Sequence, residues 1–145
     1  MAFRFSLASV LRVRESIERR EELALQKAEQ ELARVRRRID ELTGEIAKAV
    51  DAREQALQQA IQAHKLQSMD AEINAAGEAK QTLLETLQTL QQQRDAQMKL
   101  YQAAHNGRRM LTDLSEQQKT EFEQEQDRAQ QKRLDDIFAS RWQRN

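Results

Sequence analysis

Residues 25–50 read LQKAEQELARVRRRIDELTGEIAKAV, and their apolar members return every seven positions. Leu25, Leu32, Ile39 and Ile46 form one column; Ala28, Val35, Leu42 and Ala49 form a second, three places on. This is the a/d seam of a coiled coil, kept up for nearly four heptads. Between the columns stand Arg, Glu, Gln, Lys, Asp and small residues. Only a narrow stripe of this helix leaves water, so it requires a partner.

Towards the amino terminus, Leu7, Val10, Leu11, Ile17, Ala24 and Leu25 continue one helical face after a one-residue slip in register. Phe3, Phe5 and Leu7 alternate with Arg4 and Ser6 as an extended lead-in, and helix is expected from about Ser6. After Val50 the pattern thins to Leu57, Ile61 and His64. Ser68 offers a capping oxygen and Asp70 an acid for a first turn, which predicts a turn at about 65–70.

Beyond it a second pair of columns appears. Ile73, Leu87, Tyr101 and Phe122 share one phase; Ala76, Leu83, Leu90, Ala104 and Leu111 share the other. Lys80, Arg94 and Gln97 are polar members of these columns and make the seam leakier. The expected fold is all-α: a long antiparallel two-helix coiled-coil hairpin, one domain over residues 1–145. Its helices are expected over about 6–65 and about 70–140, with facing residue numbers totalling about 134 to 137. That register sets Val50 near Leu83 and Leu87, Leu25 near Met110 and Leu111, and Leu11 near Phe122.

Composition agrees with long helix. The chain has no Pro, three Gly, 33% charged and 4% aromatic residues, so the residues that interrupt helices are nearly absent. Disorder shares the high charge but lacks a periodic apolar stripe. Lys plus Arg equals Asp plus Glu, 24 each, so there is no basic excess to hold a nucleic acid. The absence of Cys removes disulfide and thiolate chemistry. No apolar run reaches the roughly 20 residues of a membrane span, and Arg12 and Arg14 break the leading apolar segment. A soluble, cytoplasmic protein is expected.

Enzymatic motifs are missing. His64 and His105 have no second His or Cys at ligand spacing, and Gly44, Gly77 and Gly107 are isolated, so no phosphate-cradling loop forms. No metal, cofactor or small-molecule substrate is expected. The cluster Arg34, Arg36, Arg37, Arg38 reads either as a patch for an acidic partner or as a solvated flank, with Arg36–Asp40 and Arg37–Glu41 as i,i+4 pairs. Aromatics gather at the ends: Phe3 and Phe5 at one, Phe138 and Trp142 at the other. In a hairpin with equal arms these ends meet. Ile137, Phe138 and Trp142 then either pack on Phe3, Phe5 and Leu7, or form an exposed tip with Arg4, Arg12, Arg14, Arg133, Arg141 and Arg144 that inserts into another protein.

The two ends also resemble a known family. Phe3-Arg4-Phe5-Ser6-Leu7-Ala8-Ser9-Val10-Leu11-Arg12-Val13-Arg14-Glu15 is similar to the start of the flagellar export protein FliJ family. Arg108 to Leu114, and Phe122, Glu125, Arg128, Gln131, Lys132, Leu134 to Phe138 and Arg141, resemble its closing helix. The resemblance implies a component of the flagellar type III export apparatus, a coiled coil similar to the central stalk of rotary ATPases. It implies that the termini enter a hexamer of the export ATPase FliI, with Phe3, Phe5, Leu7, Arg12, Phe138, Arg141 and Trp142 as tip residues. It further implies contact with the cytoplasmic domain of the export gate FlhA, on a surface corresponding to Ile46, Lys48, Arg53, Leu57, Leu83 and Leu87, which here holds no aromatic. Export chaperones are implied as further partners, at the inner membrane beside the flagellar basal body. The injectisome stalk proteins look much alike. A reading of a different class is a plain coiled-coil scaffold, or an amino-terminal helix lying on anionic membrane through Arg4, Arg12 and Arg14.

Overall fold

The computed structural model of the protein describes residues 2–144, and among them there is no strand. Two helices account for most of the chain: α1, Ala8–Leu57, and α2, Ala63–Arg144. They pack against each other in two compact units. One is Glu22–Leu100; the other joins the residues up to Glu21 with those from Tyr101 onward.

In the first unit, Leu25, Leu32, Ile39 and Leu42 are buried, all of them seam residues of the stretch quoted above. Leu32, at 2% exposure, is the best covered. Ala28, Val35, Ile46, Ala49, Arg53 and Ala56 continue the seam, half-buried. On α2 the covered positions are Leu66, Met69, Ile73, Ala76, Lys80, Leu83, Leu87, Leu90, Arg94 and Gln97, an unbroken 3-4 alternation. The expected columns of the second helix are therefore present, with Lys80, Arg94 and Gln97 as their polar members. Near the turn the seam is closed by a charge-assisted hydrogen bond from Arg53 Nε to Asp70 Oδ1.

The turn itself lies at residues 58–62, not at 65–70. Gln58 and Gln59 donate back to the carbonyls of Gln55 and Ala56, and Gln62 O accepts from Lys65 and Leu66 to open α2. Ser68 is inside the helix. The reason is energetic: a good N-cap contributes about 1 kcal/mol, whereas Leu66 and Met69 are in heptad phase with Ile73. Burying such side chains contributes roughly 1.5–3 kcal/mol each when complete, so the half-buried pair outweighs the cap.

In the other unit, α1 begins with Ala8 N bonded to Phe5 O at 3.2 Å, close to the expected start at Ser6. Ala104 is buried; Leu11, Tyr101, Leu111 and Phe122 are half-buried. Phe3 packs on Phe122 with ring centroids 5.7 Å apart. Facing residue numbers here and in the first unit total 123 for Arg53 and Asp70, 126 for Glu18 and Arg108, and 125 for Phe3 and Phe122. This corrects the register: Phe122 meets Phe3 rather than Leu11, and Met110 is 72% exposed rather than covered by Leu25. Moving the turn towards the amino terminus lowers the facing total by about eleven, because each residue of displacement counts on both arms.

A consequence is that α2 outlasts its partner. Every residue from Glu123 to Arg144 is exposed, a helical tail about 33 Å long at 1.5 Å per residue.

Candidate functional site

The residues with unusual chemistry gather where α1 begins. Glu18 occupies a seam position of α1 and is half-buried. Arg108 reaches it from α2, with Nε 2.5 Å from Oε2 and Nη2 3.4 Å from Oε1. His105 Nδ1 lies 3.2 Å from Oε1, and its ring stacks on Tyr101 with centroids 5.9 Å apart. Thr112 Oγ1 accepts from Arg108 Nη1 and donates to Arg108 O. The hydrogen bond from Arg108 holds the Glu18 carboxyl below its usual value against partial desolvation, helped by His105. The same bond raises the Arg108 guanidinium. With one carboxylate shared by two donors, the cluster fixes which turn of α1 faces which turn of α2. Sequence reading passed over Glu18 because an acid at a seam position looks like a lapse in the stripe; its signal was that Arg108 is an equally misplaced seam residue.

The expected tip residues separate into two groups. Phe3 and Phe5 are half-buried, Phe3 against Phe122; Leu7 is exposed over about a third of its surface. Phe138, 64% exposed, and Trp142, 86% exposed, lie on the tail with Leu134, Ile137 and Arg141. They do not meet Phe3, Phe5 and Leu7, which corrects the expectation of paired termini: Phe122 takes the place assigned to Phe138. Arg12 is exposed, beside a shallow cleft that it lines with Val13, Ser16, Ile17 and Arg20.

The residues expected to meet the gate also divide. Ile46, Leu83 and Leu87 are half-buried on the faces where the two helices pair, and Arg53 is bonded to Asp70. Lys48 and Leu57 alone among them are exposed. Of the arginine cluster, Arg38 pairs with Glu41 at 3.3 Å and Glu45 at 3.6 Å, and Arg37 Nε donates to Ala33 O. These bonds replace the expected Arg36–Asp40 and Arg37–Glu41 pairs.

Among the described residues nothing covers the tail, whose large apolar side chains Leu134, Ile137, Phe138 and Trp142 stand in water. A protein-family model, Flagellar FliJ protein, matches residues 3–145. The chain belongs to the flagellar FliJ family. Its role lies in flagellar biogenesis and protein export, and the two end signatures and the two-helix coiled coil agree with that membership. Comparison with curated proteins and with solved structures gives no match. Among the described residues of this FliJ-family chain, no group of His, Cys, Asp and Glu is arranged to hold a metal ion, and no helix is long and apolar enough to cross a membrane.

Proposed function

We propose that this chain is a stalk-like coupling protein of the export apparatus, whose carboxy-terminal tail enters the hexamer of the export ATPase and raises its assembly or turnover without chemistry of its own. One observation carries the reading: the tail from Glu123 to Arg144 is helical, uncovered on every side, and bears Leu134, Ile137, Phe138 and Trp142 in water. A contiguous apolar patch of this kind marks an interaction surface, and buried aromatics are the usual energetic centres of interfaces. A helix presenting all its faces suits a partner that encloses it. The ATPase contact is therefore assigned to Phe138, Arg141 and Trp142, while Phe3, Phe5 and Leu7 brace the point where the tail leaves the hairpin.

The gate contact is assigned to the flank near the turn, with Lys48 and Leu57 as the outward members and Ile46, Arg53, Leu83 and Leu87 holding the helices in place behind them. Such contacts would recruit the chain to the inner membrane through its membrane-bound partner.

The test is ATP hydrolysis by the purified export ATPase with added chain. Phe138→Ala with Trp142→Ala is expected to abolish stimulation. Lys48→Ala is expected to leave stimulation unchanged while weakening capture by the gate's cytoplasmic domain. Full stimulation by the Phe138 and Trp142 double variant would sink the tail assignment.

A further inference from the structure

The charge of α2 changes sign on the stretch that runs without a partner. Glu116, Glu121, Glu123, Glu125 and Asp127 stand against Lys119 alone; then Arg128, Lys132, Arg133, Arg141 and Arg144 stand against Asp135 and Asp136. A chain of zero formal charge therefore ends its second helix in a basic segment. Among the described residues, none of those five cations is held in an ion pair. Asp135 already accepts a hydrogen bond from Gln131 Nε2 at 3.3 Å.

The same segment has one apolar side. At about 100° per residue, Ile137, Leu134, Phe138 and Trp142 follow one another round an arc of about 140°, and all four are exposed. Gln130 and Gln131 occupy that arc in the preceding turn, so the apolar stripe runs from Leu134 to Trp142, about 12 Å. The cations are placed by the same geometry. Arg144 and Arg133 border the arc beyond Ile137, and Arg128 borders it beyond Trp142. Arg141 starts from within it, in the last turn, where a long stem lets the guanidinium bend out to the rim. Asp135 is the one acid on either border; Lys132 and Asp136 share the opposite side and offset each other. Four cations thus surround the stripe against one carboxylate.

We propose that residues 128–144 lie on an anionic membrane surface. Leu134, Ile137, Phe138 and Trp142 enter the boundary between headgroups and acyl chains, and Arg128, Arg133, Arg141 and Arg144 pair with lipid phosphates. Aromatic and aliphatic residues on one side of a helix, edged by Arg and Lys, are what an interfacial helix needs, and an indole ring suits the headgroup level. Charge selects this occupant: each Arg near an anionic surface adds to the attraction, whereas the acidic stretch before Arg128 is repelled and confines the contact to the segment beyond it. The helix lies along the surface, since no helix among the described residues is long and apolar enough to cross a membrane. This contact goes beyond the ATPase reading and does not rest on it. Phe138 and Trp142 serve one contact or the other at a time, and the test uses lipid alone.

Trp142 is the only tryptophan of the chain, so its emission reports on the tail directly. The full chain mixed with vesicles of equal parts phosphatidylcholine and phosphatidylglycerol is expected to shift that emission to shorter wavelength and to sediment with the vesicles. With phosphatidylcholine alone, the emission is expected to stay as it is in buffer. Arg133→Ala with Arg144→Ala is expected to weaken co-sedimentation about tenfold or more. Leu134→Glu with Phe138→Glu is expected to abolish it, with helicity by circular dichroism unchanged in both double variants. An unshifted emission with the anionic vesicles overturns the proposal, and so does equal binding to the neutral ones. Full binding by the Leu134 and Phe138 variant overturns it too. Loss of binding on replacing Arg4, Arg12 and Arg14 with Ala would transfer the contact to the other terminus, and an emission shift on concentrating the chain without vesicles would put a second copy on the stripe; either result overturns it.

Discussion

Glu18 shows how one polar residue disciplines a seam made otherwise of small apolar layers. Its carboxylate is bonded by Arg108 and by His105, and these bonds hold its pKa below the usual 4.5. A depressed carboxyl contributes stability that is complete above the unfolded value and disappears as pH falls through the folded one. The excess stability of wild type over Glu18→Gln is therefore expected to shrink as pH falls below 4.5, read as a converging pair of melting temperatures. A difference that persists unchanged at pH 3 would remove the charge from the explanation. Leu32 gives the apolar counterpart. At 2% exposure, its truncation to Ala is expected to cost about 2 to 4 kcal/mol by urea denaturation, while the exposed Arg37→Ala costs little. At this scale the apolar layers were legible, because burial follows period directly. Glu18 and His105 were not, because their role depends on which residue stands opposite, and that depends on the register.

Register is a property of the elements, and there the sequence spoke through two signals of different weight. The heptads of α1 and α2 name the buried faces correctly from Leu25 to Ala49 and from Ile73 to Phe122, but not between them: Leu57 and His64, expected to continue the pattern, are exposed, and Arg53 and Ala56 carry the seam instead. The turn was misplaced because Ser68 and Asp70 looked like a cap, although Leu66 and Met69 already keep the phase of Ile73. In a chain of Ala and Gln with no Pro, local propensity barely distinguishes one turn position from another, so seam pairing decides. A four-residue Gly-Ser insertion after Ala60 is therefore expected to leave the melting temperature nearly unchanged. The same insertion after Leu83 shifts every later seam residue to another face and is expected to lower it sharply. The glycines offer a cleaner measurement. Gly44 and Gly77 lie inside helices, and a Cβ added at either meets nothing within 4 Å. Gly44→Ala and Gly77→Ala are each expected to stabilise the chain by about 1 kcal/mol; a loss of stability at either would mean that the position has a use for the missing side chain.

For the whole molecule, the forward turn converts a hairpin expected to end flush into one with a free tail. The aromatic ends were legible as a functional feature, but their separation was not, since it follows from the corrected register alone. Phe3 and Phe5 are consumed by packing near Phe122, and Phe138 and Trp142 are left to the solvent. A helical tail of about 22 residues with nothing packed on it lacks the tertiary packing that supplies most helical stability in proteins. Backbone amides from Glu123 to Arg144 are thus expected to exchange with solvent far faster than those around Leu32 and Ile39, whose side chains are buried. Binding of the export ATPase is expected to slow exchange across the tail while leaving residues 25–50 unaffected, since those already face their own chain. Protection confined to the turn near Leu57 and Gln62, with the tail unchanged, would transfer the ATPase contact from the tail to the turn.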